Sequence, residues 1–359
     1  MPTSHETILF VDLKALEHNY FYLKSKLNSD TEIIAVVKAF AYGHGDIVVA
    51  KKLETLGVHA FWVADFEEGV TLRKSGINRP IIIANPGAKS YSEIIEFNLQ
   101  PVIYNFRLLE LYGENSSPIS IHIKFNSGMN RYGFSLDEVD LIAKKLKNYP
   151  HLNVNSICTH LSAADDNRQD KFTHSQFQKF ELITSKFSEK TGIKTKRHVL
   201  NSAGVLRFSN HQKEIVRLGI GLYGIGEDNN LKPIAKLQSN IAQIRNLQKG
   251  EKIGYDAAFI ANKEMIIGIV PLGYADGINR KLGDENGHVV IGKKTAKIIG
   301  KISMDSMLID LSKIVVEEMS AVTIFDAKNK VSDMSKNLDT IPYEILATLN
   351  RRIKRIYLQ

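Results

Sequence analysis

Residues 33–45 read IIAVVKAFAYGHG and place a single lysine, Lys38, directly after an apolar run. Five consecutive apolar residues indicate a strand that is buried on both faces, as in a parallel sheet. Lys38 then lies at the carboxyl end of that strand, where α/β enzymes carry their chemistry. A partly desolvated amine there can form a Schiff base with a carbonyl compound, and Tyr42 is placed to bind a phosphate. The alternative is a surface lysine that begins a loop.

Eight short apolar runs recur between residues 33 and 222, with helix-like or loop segments between them. Eight strands that alternate with helices predict an N-terminal (β/α)8, TIM-like barrel within an α/β fold. A doubly wound open sheet is the competing interpretation, but it usually has Gly-x-Gly-x-x-Gly after its first strand, and this sequence does not. The predicted strands are Ile33 to Val37, Ala60 to Ala64, Pro80 to Ala84, Pro101 to Tyr104, Ile121 to Phe125, Ser156 to Thr159, Arg197 to Leu200 and Ile215 to Leu222.

Three of the intervening segments have apolar residues at helical spacing. Ser135 and Glu138 stand at capping-box spacing and predict where the second of these helices begins. The predicted apolar faces are Val49, Ala50, Leu53 and Leu56; then Val139, Ile142, Ala143 and Leu146; then Phe177, Phe180, Ile183 and Phe187.

From about residue 231 the sequence changes to strands without helices between them, except for one short helix near Tyr343 to Leu349. We predict a barrel over residues 12–230 and a mostly-β domain over residues 231–359, and the run Ile8 to Val11 fits either one. No linker rich in Pro, Gly or Ser divides them, so we expect a rigid interface. The strands of the second domain are Glu264 to Val270, His288 to Ile291, Ala296 to Ile299, Met307 to Leu311, Ala321 to Phe325 and Ile353 to Leu358.

Composition excludes several classes of protein. The 359 residues carry a net charge of +8, but the lysines and arginines are dispersed and no aromatic platform lies among them, so we predict no nucleic-acid binding. No apolar run approaches the ~20 residues of a membrane helix, and the N-terminus does not resemble a signal peptide. The single cysteine, Cys158, fits a reducing compartment, and we expect a cytoplasmic protein.

The polar residues of the predicted barrel converge on one face. Each lies at or after the carboxyl end of a strand, where barrel enzymes build active sites. Taken singly, His160 is equally a satisfied core histidine, and Arg217 is equally a buried ion-pair partner. Their joint placement favours an active site, and we predict no metal in it. The residues are Lys38, Lys124, Arg131, His160, Asn201, Ser202, Arg217, Gly219 and Ile220.

The seventh and eighth strands predict a phosphate site, because barrels often bind phosphate in the loops that follow them. Residues 201–204, NSAG, supply a hydroxyl and small side chains, and Gly219 and Gly221 let a ligand approach the backbone. Together with Tyr42 and Lys38 these loops fit a phosphorylated aldehyde. Pyridoxal 5′-phosphate is the candidate cofactor.

The sequence closely resembles the bacterial alanine racemases, which are fold type III pyridoxal-phosphate enzymes, over nearly its whole length. Residues 35–45, AVVKAFAYGHG, resemble the family's cofactor-lysine signature, with Phe40 where Asn is usual. Residues 124–134, KFNSGMNRYGF, resemble a second signature, with Asn126 where Asp is common. Further matches are Thr159-His160, Ala163 to Asp165, His198 to Ala203, Val216 to Gly224, Gly273 to Gly277, Ser303 to Asp305 and Tyr343-Glu344.

The resemblance implies two catalytic residues. Lys38 binds the cofactor covalently, and Tyr255 reaches the site from the partner subunit of a homodimer with shared active sites. The two act as acid and base on opposite faces of the substrate, since racemisation requires one group to remove the α-proton and another to return it. The alternative for Tyr255 is a packing residue after a turn.

The resemblance also implies the binding residues. Arg217 faces the pyridine nitrogen of the cofactor and keeps it unprotonated, because a guanidinium has donors only. His160 then orients Arg217 or the ring. Arg131 and Met304 of the partner subunit bind the substrate carboxylate.

Lys124 corresponds to a lysine that is carbamylated in some relatives, and the alternative is an unmodified lysine at a strand end. We assign no role to Arg351, which lies where some relatives have a tyrosine near the phosphate. Ser303 replaces a frequent cysteine.

These features predict a homodimeric alanine racemase that interconverts L-alanine and D-alanine and supplies D-alanine for peptidoglycan. One alternative is another fold type III enzyme, either a racemase of broader range or a decarboxylase. Another is a non-catalytic carrier of pyridoxal phosphate, which would not need Tyr255 from a partner.

Overall fold

The computed structural model describes residues 4–115 and 117–359, which form a closed barrel and a nine-stranded sheet. Strand β1 (Ile8–Asp12) precedes the barrel. The barrel strands are β2 (Glu32–Val36), β3 (Ala60–Val63), β4 (Ile81–Ile83), β5 (Gln100–Ile103), β6 (Ile119–Lys124), β7 (Leu152–Cys158), β8 (Lys196–His198) and β9 (Ile215–Leu218).

The eight barrel strands are parallel and pair in sequence order, and β2 closes the ring against β9 with Ile33 opposite Val216. The eight-stranded barrel predicted from the apolar runs is therefore confirmed. Strand β2 is buried at four of its five positions, as a continuous apolar run predicts. All eight strands direct their carboxyl ends to one face of the barrel.

Helices surround the barrel, and several of them begin at a residue whose side chain caps the helix. Asp12 accepts hydrogen bonds from the backbone N–H groups of Lys14 and Ala15 at the start of the first helix. Ser135 and Glu138 form the predicted capping box. The helices are α1 (Leu13–Lys24), α3 (Asp46–Thr55), α4 (Phe66–Lys74), α5 (Tyr91–Glu96), α6 (Phe106–Glu114), α7 (Val139–Asn148), α8 (Asp170–Thr191) and α9 (Ser202–Arg207), and α2 (Lys38–Tyr42) is a turn with mostly left-handed backbone.

The second part of the chain is the nine-stranded sheet. Its strand order is β11-β14-β17-β16-β15-β18-β10-β1-β19, and β12 pairs with β13 as a separate hairpin. The strands are β10 (Ala235–Asn240), β11 (Gln243–Leu247), β12 (Lys252–Ile253), β13 (Phe259–Ile260), β14 (Met265–Val270), β15 (His288–Ile291), β16 (Lys294–Ile299), β17 (Met307–Asp310), β18 (Ala321–Phe325) and β19 (Lys354–Leu358), with helices α10 (Val331–Asn337) and α11 (Pro342–Ala347).

The sequence did not decide which domain the N-terminal strand β1 joins, and the structure places this strand in the sheet. Ile8 is opposite Gln238 of antiparallel β10 and opposite Lys354 of parallel β19. The prediction of one short helix in this part of the chain was wrong, because α10 precedes α11. Strands β10 and β11 were also missed. Their sequences, AKLQSN and QIRNL, are mostly polar because both strands are largely half-buried or exposed.

The sheet packs against the barrel next to the turn that follows Lys38. A side chain on Gly43 would meet the carbonyl oxygen of Leu346 at 2.0 Å, and one on Gly45 would meet the Tyr357 hydroxyl at 1.9 Å. Both glycines have positive φ angles. The sheet therefore holds the segment that presents Lys38. Within the described part of the chain, no helix has the length and apolarity needed to span a membrane.

Candidate active site

A cavity of about 270 Å³ opens at the carboxyl ends of the barrel strands. It brings together all ten barrel residues that the sequence singled out. They are Lys38, Tyr42, Lys124, Arg131, His160, Asn201, Ser202, Arg217, Gly219 and Ile220.

The backbone after Lys38 turns in the left-handed sense. The φ angles of Ala39, Phe40, Ala41 and Tyr42 lie between 51° and 55°. This conformation costs roughly 1–2 kcal/mol per non-glycine residue, so the surroundings must hold it. The Ala39 N–H donates to Glu68 Oε1 at 2.6 Å, and Arg355 Nε donates to the Gly43 carbonyl at 3.1 Å. The turn is therefore held at both ends by residues distant in sequence.

The amine of Lys38 is half-buried in the cavity wall. Burial lowers its pKa, the positive charge of Arg131 lowers it further, and Glu68 opposes the shift. A larger fraction of this amine is consequently unprotonated near neutral pH than for an exposed lysine. An unprotonated amine is the form that attacks a carbonyl carbon.

Tyr42 lies against two other tyrosines at the edge of the cavity. Its ring centroid is 4.8 Å from that of Tyr223 and 6.0 Å from that of Tyr343. Burial raises the pKa of Tyr42 well above its usual range, so its hydroxyl keeps its proton and can donate it to an anion. A side chain on Gly219 would approach the Tyr42 hydroxyl to 2.8 Å and would displace it.

Ser202 connects the loops after β8 and β9. Its hydroxyl oxygen accepts hydrogen bonds from the N–H groups of Gly219 (2.9 Å) and Gly221 (3.2 Å). The Gly219 N–H is thus engaged by Ser202, while the Ser202 hydroxyl hydrogen is left to donate. Asn201 caps α9 by accepting from Gly204 N at 2.9 Å.

Arg217 is buried at the base of the cavity and its guanidinium is held in one orientation. Nη2 donates to the Thr159 carbonyl at 2.7 Å and contacts His160 Nδ1 at 3.2 Å. Nη1 donates to His198 Nδ1 at 2.6 Å. Burial lowers the pKa of Arg217, but a guanidinium keeps its charge in proteins at neutral pH. A charged donor is therefore fixed in place here.

A chain of buried side chains continues from Arg217 through the barrel interior. Because Arg217 donates to His198 Nδ1, the His198 proton is on Nε2 and donates to Ser156 Oγ at 2.8 Å. The Ser156 hydroxyl then donates to His122 Nδ1 at 2.6 Å, and His122 Nε2 donates to Gln100 Oε1 at 2.9 Å. Both histidines are neutral. Burial lowers the pKa of His122 to about 3 and that of His198 well below its usual range.

Lys124 ends β6 and is buried. Burial is the largest cause that lowers its pKa to about 8, and Arg217, Arg131 and Lys38 lower it further, against an opposing contribution from Cys158. Asn126 organises the loop that carries Arg131: its Oδ1 accepts from Asn130 N at 3.0 Å and its Nδ2 donates to Asn130 Oδ1 at 2.8 Å. An aspartate could not donate to Asn130, so the amide suits this loop.

The cavity has a large excess of positive charge. Lys38, Lys124, Arg131 and Arg217 line it, and no aspartate or glutamate does so among the described residues. Buried like charges are costly unless a counter-charge joins them. The site therefore fits a ligand with more than one anionic group, such as a phosphate together with a carboxylate. These donors, with Lys38, match the functional groups of pyridoxal phosphate.

Tyr255 and Met304 do not line this cavity. Tyr255 is 64% exposed and Met304 is 52% exposed. Tyr255 lies with Tyr274, Arg280 and Ile302 around a separate open depression of about 500 Å³. One chain thus presents these two residues on the surface of its C-terminal, mostly-β domain rather than to its own barrel, with Tyr255 in the β12–β13 hairpin.

Four contacts fix the loops of that surface. Lys301 Nζ pairs with Asp256 Oδ2 at 2.5 Å, beside Tyr255. Ala275 N donates to the Met304 carbonyl at 3.0 Å. Arg352 joins the same two loops by pairing with Asp276 at 2.6 Å and with Asp305 at 2.7 Å. The exposed side chains are therefore presented on a rigid base.

Several residues of the site were missed in the sequence. Tyr343 lines the cavity, and burial raises its pKa to about 12. Tyr343 belongs to the matched Tyr343-Glu344 pair, and this match was a usable sequence signal for it. The sequence signals for three other residues were weaker, because their roles depend on contacts between separate helices and strands. These are Glu68, His198 and Trp62.

Comparison with known proteins identifies relatives along the whole chain. Residues 11–227 match the family described as "Alanine racemase, N-terminal domain", and residues 234–357 match "Alanine racemase, C-terminal domain". The alanine racemase of Clostridium tetani is 34% identical over 370 residues, which cover 97% of this chain and 94% of the relative.

Solved structures agree with the sequence matches. The alanine racemase of Bacillus anthracis with bound L-Ala-P superposes with a TM-score of 0.92 at 29% identity, covering 100% of this chain and 96% of the other. The alanine racemase of Bartonella henselae, with covalently bound pyridoxal phosphate, has a TM-score of 0.91 at 26% identity and coverages of 99% and 100%.

We predict that Ser156→Ala destabilises the chain. The change leaves His198 Nε2–H and His122 Nδ1 without their buried partner, and such a loss costs about 1–3 kcal/mol. Urea unfolding measures the difference in free energy, with Ser188→Ala on the exposed face of α8 as the control. Equal stability of the two variants would contradict the hydrogen-bonded chain.

We also predict a pH-dependent effect of Lys124→Met on the ligand-free protein. The pKa of Lys124 is lower in the folded chain than in the unfolded chain, so its penalty is complete below the folded pKa of about 8 and disappears as the pH rises through the unfolded value. The variant should be more stable than the wild type at about pH 7, by on the order of 3 kcal/mol, with most of that gain lost at about pH 10.

Urea unfolding in buffer freed of carbon dioxide, which keeps the amine unmodified, measures this difference. Lys144→Met on the exposed face of α7 is the control. A gain that grows with pH would have the wrong sign and would reject the account of Lys124.

Proposed function

This chain belongs to the alanine racemase family and is an amino-acid racemase, and from this premise we propose that it interconverts L-alanine and D-alanine with pyridoxal phosphate carried on Lys38. The observation that carries the proposal is the position of Lys38: a desolvated amine at the wall of a cation-lined cavity. The covalently bound pyridoxal phosphate of the Bartonella henselae relative supports the same cofactor.

The residues present fit this cofactor at three points. Tyr42 and Ser202 offer hydroxyl donors for a phosphate, Arg217 offers a charged donor at the base, and Lys38 offers the amine. When bound, pyridoxal phosphate supplies a conjugated ring that withdraws electrons and makes the substrate α-proton easier to remove. The protein positions this ring and controls its protonation.

Arg217 controls the protonation of the ring nitrogen. A guanidinium has only N–H donors, so the nitrogen that faces it accepts a hydrogen bond and receives no proton. Contacts with His160, His198 and Thr159 keep Arg217 in place. By leaving the ring nitrogen unprotonated, Arg217 would weaken the electron withdrawal that the bound cofactor supplies, which would disfavour side reactions and favour proton removal and return.

Lys38 and Tyr255 of the partner subunit serve as the acid and base pair. Racemisation inverts the α-carbon, so a proton must leave from one face and return to the other. Lys38 lies in the barrel, whereas Tyr255 is exposed on the β12–β13 hairpin and absent from its own cavity. A homodimer that places one chain's sheet over the other's barrel completes each site, and Met304 of the partner subunit enters with it.

The substrate carboxylate is bound by Arg131, whose planar guanidinium suits a bidentate contact. Lys124 is the proposed site of a carbamate, since carbon dioxide adds to an unprotonated amine and burial lowers the pKa of Lys124 to about 8. The resulting anion offsets the positive charge of Arg131 and helps to hold it. The D-alanine product would serve as a precursor of peptidoglycan.

Reduction of the purified protein with borohydride tests the cofactor attachment. Peptide mapping should find the pyridoxyl label on Lys38, because this amine has a lowered pKa at the strand end. Lys124 is the competing amine in the same cavity, so Lys124→Met is the matched control and should keep the label. A label on Lys124, or elsewhere, would overturn the assignment.

The two-base scheme predicts a specific result for Tyr255→Phe. Racemisation should fall by at least about a hundredfold, the range for loss of a positioned acid or base, while pyridoxal phosphate stays bound. In deuterated solvent, one enantiomer of alanine should still exchange its α-proton through Lys38 without inversion, and the other should not. Racemisation at the wild-type rate would refute the role of Tyr255.

A further inference from the structure

The two positions at which this chain departs from the family pattern around the cofactor lysine contact each other. Phe40 stands where asparagine is usual in the family, and Arg351 lies in the region where some relatives have a tyrosine. The guanidinium carbon of Arg351 lies 4.5 Å from the centroid of the Phe40 ring, and that of Arg355 lies 5.3 Å away. Both distances are within the range of a cation–π interaction.

Phe40 occupies the centre of the left-handed turn. It is the second of four consecutive non-glycine residues with positive φ, between Lys38 and Tyr42. Its carbonyl accepts a hydrogen bond from Gly45 N at 2.9 Å, which closes the turn locally. This local bond and the contacts with Glu68 and Arg355 must together offset a cost of roughly 1–2 kcal/mol per residue, so a further contact at this ring bears directly on the turn.

Arg355 is a fixed partner for the ring. It is buried in β19 and donates to the carbonyls of Leu349, Asn350 and Ile353 as well as to that of Gly43. These bonds tie the C-terminal segment to the end of the turn. The Phe40 ring adds a second connection between the turn and the same segment. Phe40 directly follows Ala39, whose N–H donates to Glu68.

We propose that Phe40 is a positioning residue that, through Arg351 and Arg355, fixes the turn carrying Lys38 and Tyr42 to the C-terminal strand of the sheet. The proposal deepens the proposed function, on which it rests for the identity of the cofactor. Lys38 and Tyr42 flank Phe40, and they offer the covalent and the phosphate contact respectively. Stiffening of this turn therefore slows cofactor release and does not alter the acid and base groups themselves.

Substitution of the ring tests the proposal with a matched control. Phe40→Leu keeps an apolar side chain and removes the π face, whereas Phe40→Tyr keeps the face. Phe97→Leu is the control, since Phe97 is also half-buried and has Lys74 at 5.1 Å from its ring, far along the chain from the site. Arg351→Met removes the exposed partner and leaves Arg355 in place.

The first readout uses the ligand-free protein. Amide hydrogen exchange of a peptide covering residues 39–45 should accelerate roughly two- to fivefold in Arg351→Met, the factor for loss of one exposed cation–π contact. Exchange should accelerate at least as much in Phe40→Leu, which also loses the contact with Arg355. Phe40→Tyr should restore the wild-type rate, and Phe97→Leu should leave it unchanged. Because Phe40 and Arg351 share one contact, adding Arg351→Met to Phe40→Leu should produce little further change.

The second readout is the rate at which pyridoxal phosphate leaves the loaded protein, followed by its absorbance after dilution into excess apo-acceptor. It should rise by a similar factor in Phe40→Leu, with kcat reduced more than KM is changed. Wild-type exchange at residues 39–45 in Phe40→Leu would overturn the proposal. If exchange accelerates in Phe40→Leu but borohydride reduction does not label Lys38, the proposed function fails, whereas the role of Phe40 in fixing the turn is supported.

Discussion

The site is organised around a concentration of positive charge that exceeds the negative charge near it. Lys38, Lys124, Arg131 and Arg217 line one cavity without a lining carboxylate among the described residues. Burial and mutual repulsion lower the pKa of both lysines, which makes their amines available for reaction. An anionic ligand relieves this repulsion when it binds. The same constraint that makes this arrangement costly therefore favours the binding of an anionic ligand, such as the proposed phosphate and carboxylate.

The scaffold keeps this arrangement by fixing each group from outside the cavity. Arg217 is oriented by the chain of His198, Ser156 and His122, in which every donor has one acceptor. The left-handed turn after Lys38 is held by Glu68 on one side and by the C-terminal strand on the other. The barrel supplies the strand ends. The C-terminal, mostly-β domain supports the turn and exposes Tyr255 and Met304, which are proposed to complete the active site of the partner subunit.

The sequence predicted the barrel because several of its strands, such as β2, β3 and β4, are buried on both faces and read as continuous apolar runs. Strand β11, QIRNL, was not predicted because most of its residues are exposed and its apolar and polar residues alternate little. The residues at strand ends were predicted because parallel strands bring their carboxyl ends together. The chain from Arg217 to Gln100 was not, since it depends on which side chains face each other across several strands. Phe40 was recognised only as a departure, because its partners lie more than 300 residues away.

Mixed dimers test the shared site most directly. Lys38→Ala and Tyr255→Phe chains are each expected to be inactive alone. When the two are unfolded together and reassociated at random, half of the dimers combine both chains, and each such dimer has one site with both groups intact. The account predicts that the mixture regains about a quarter of the wild-type racemase activity. A mixture that forms dimers with bound cofactor but stays as inactive as either parent would contradict it.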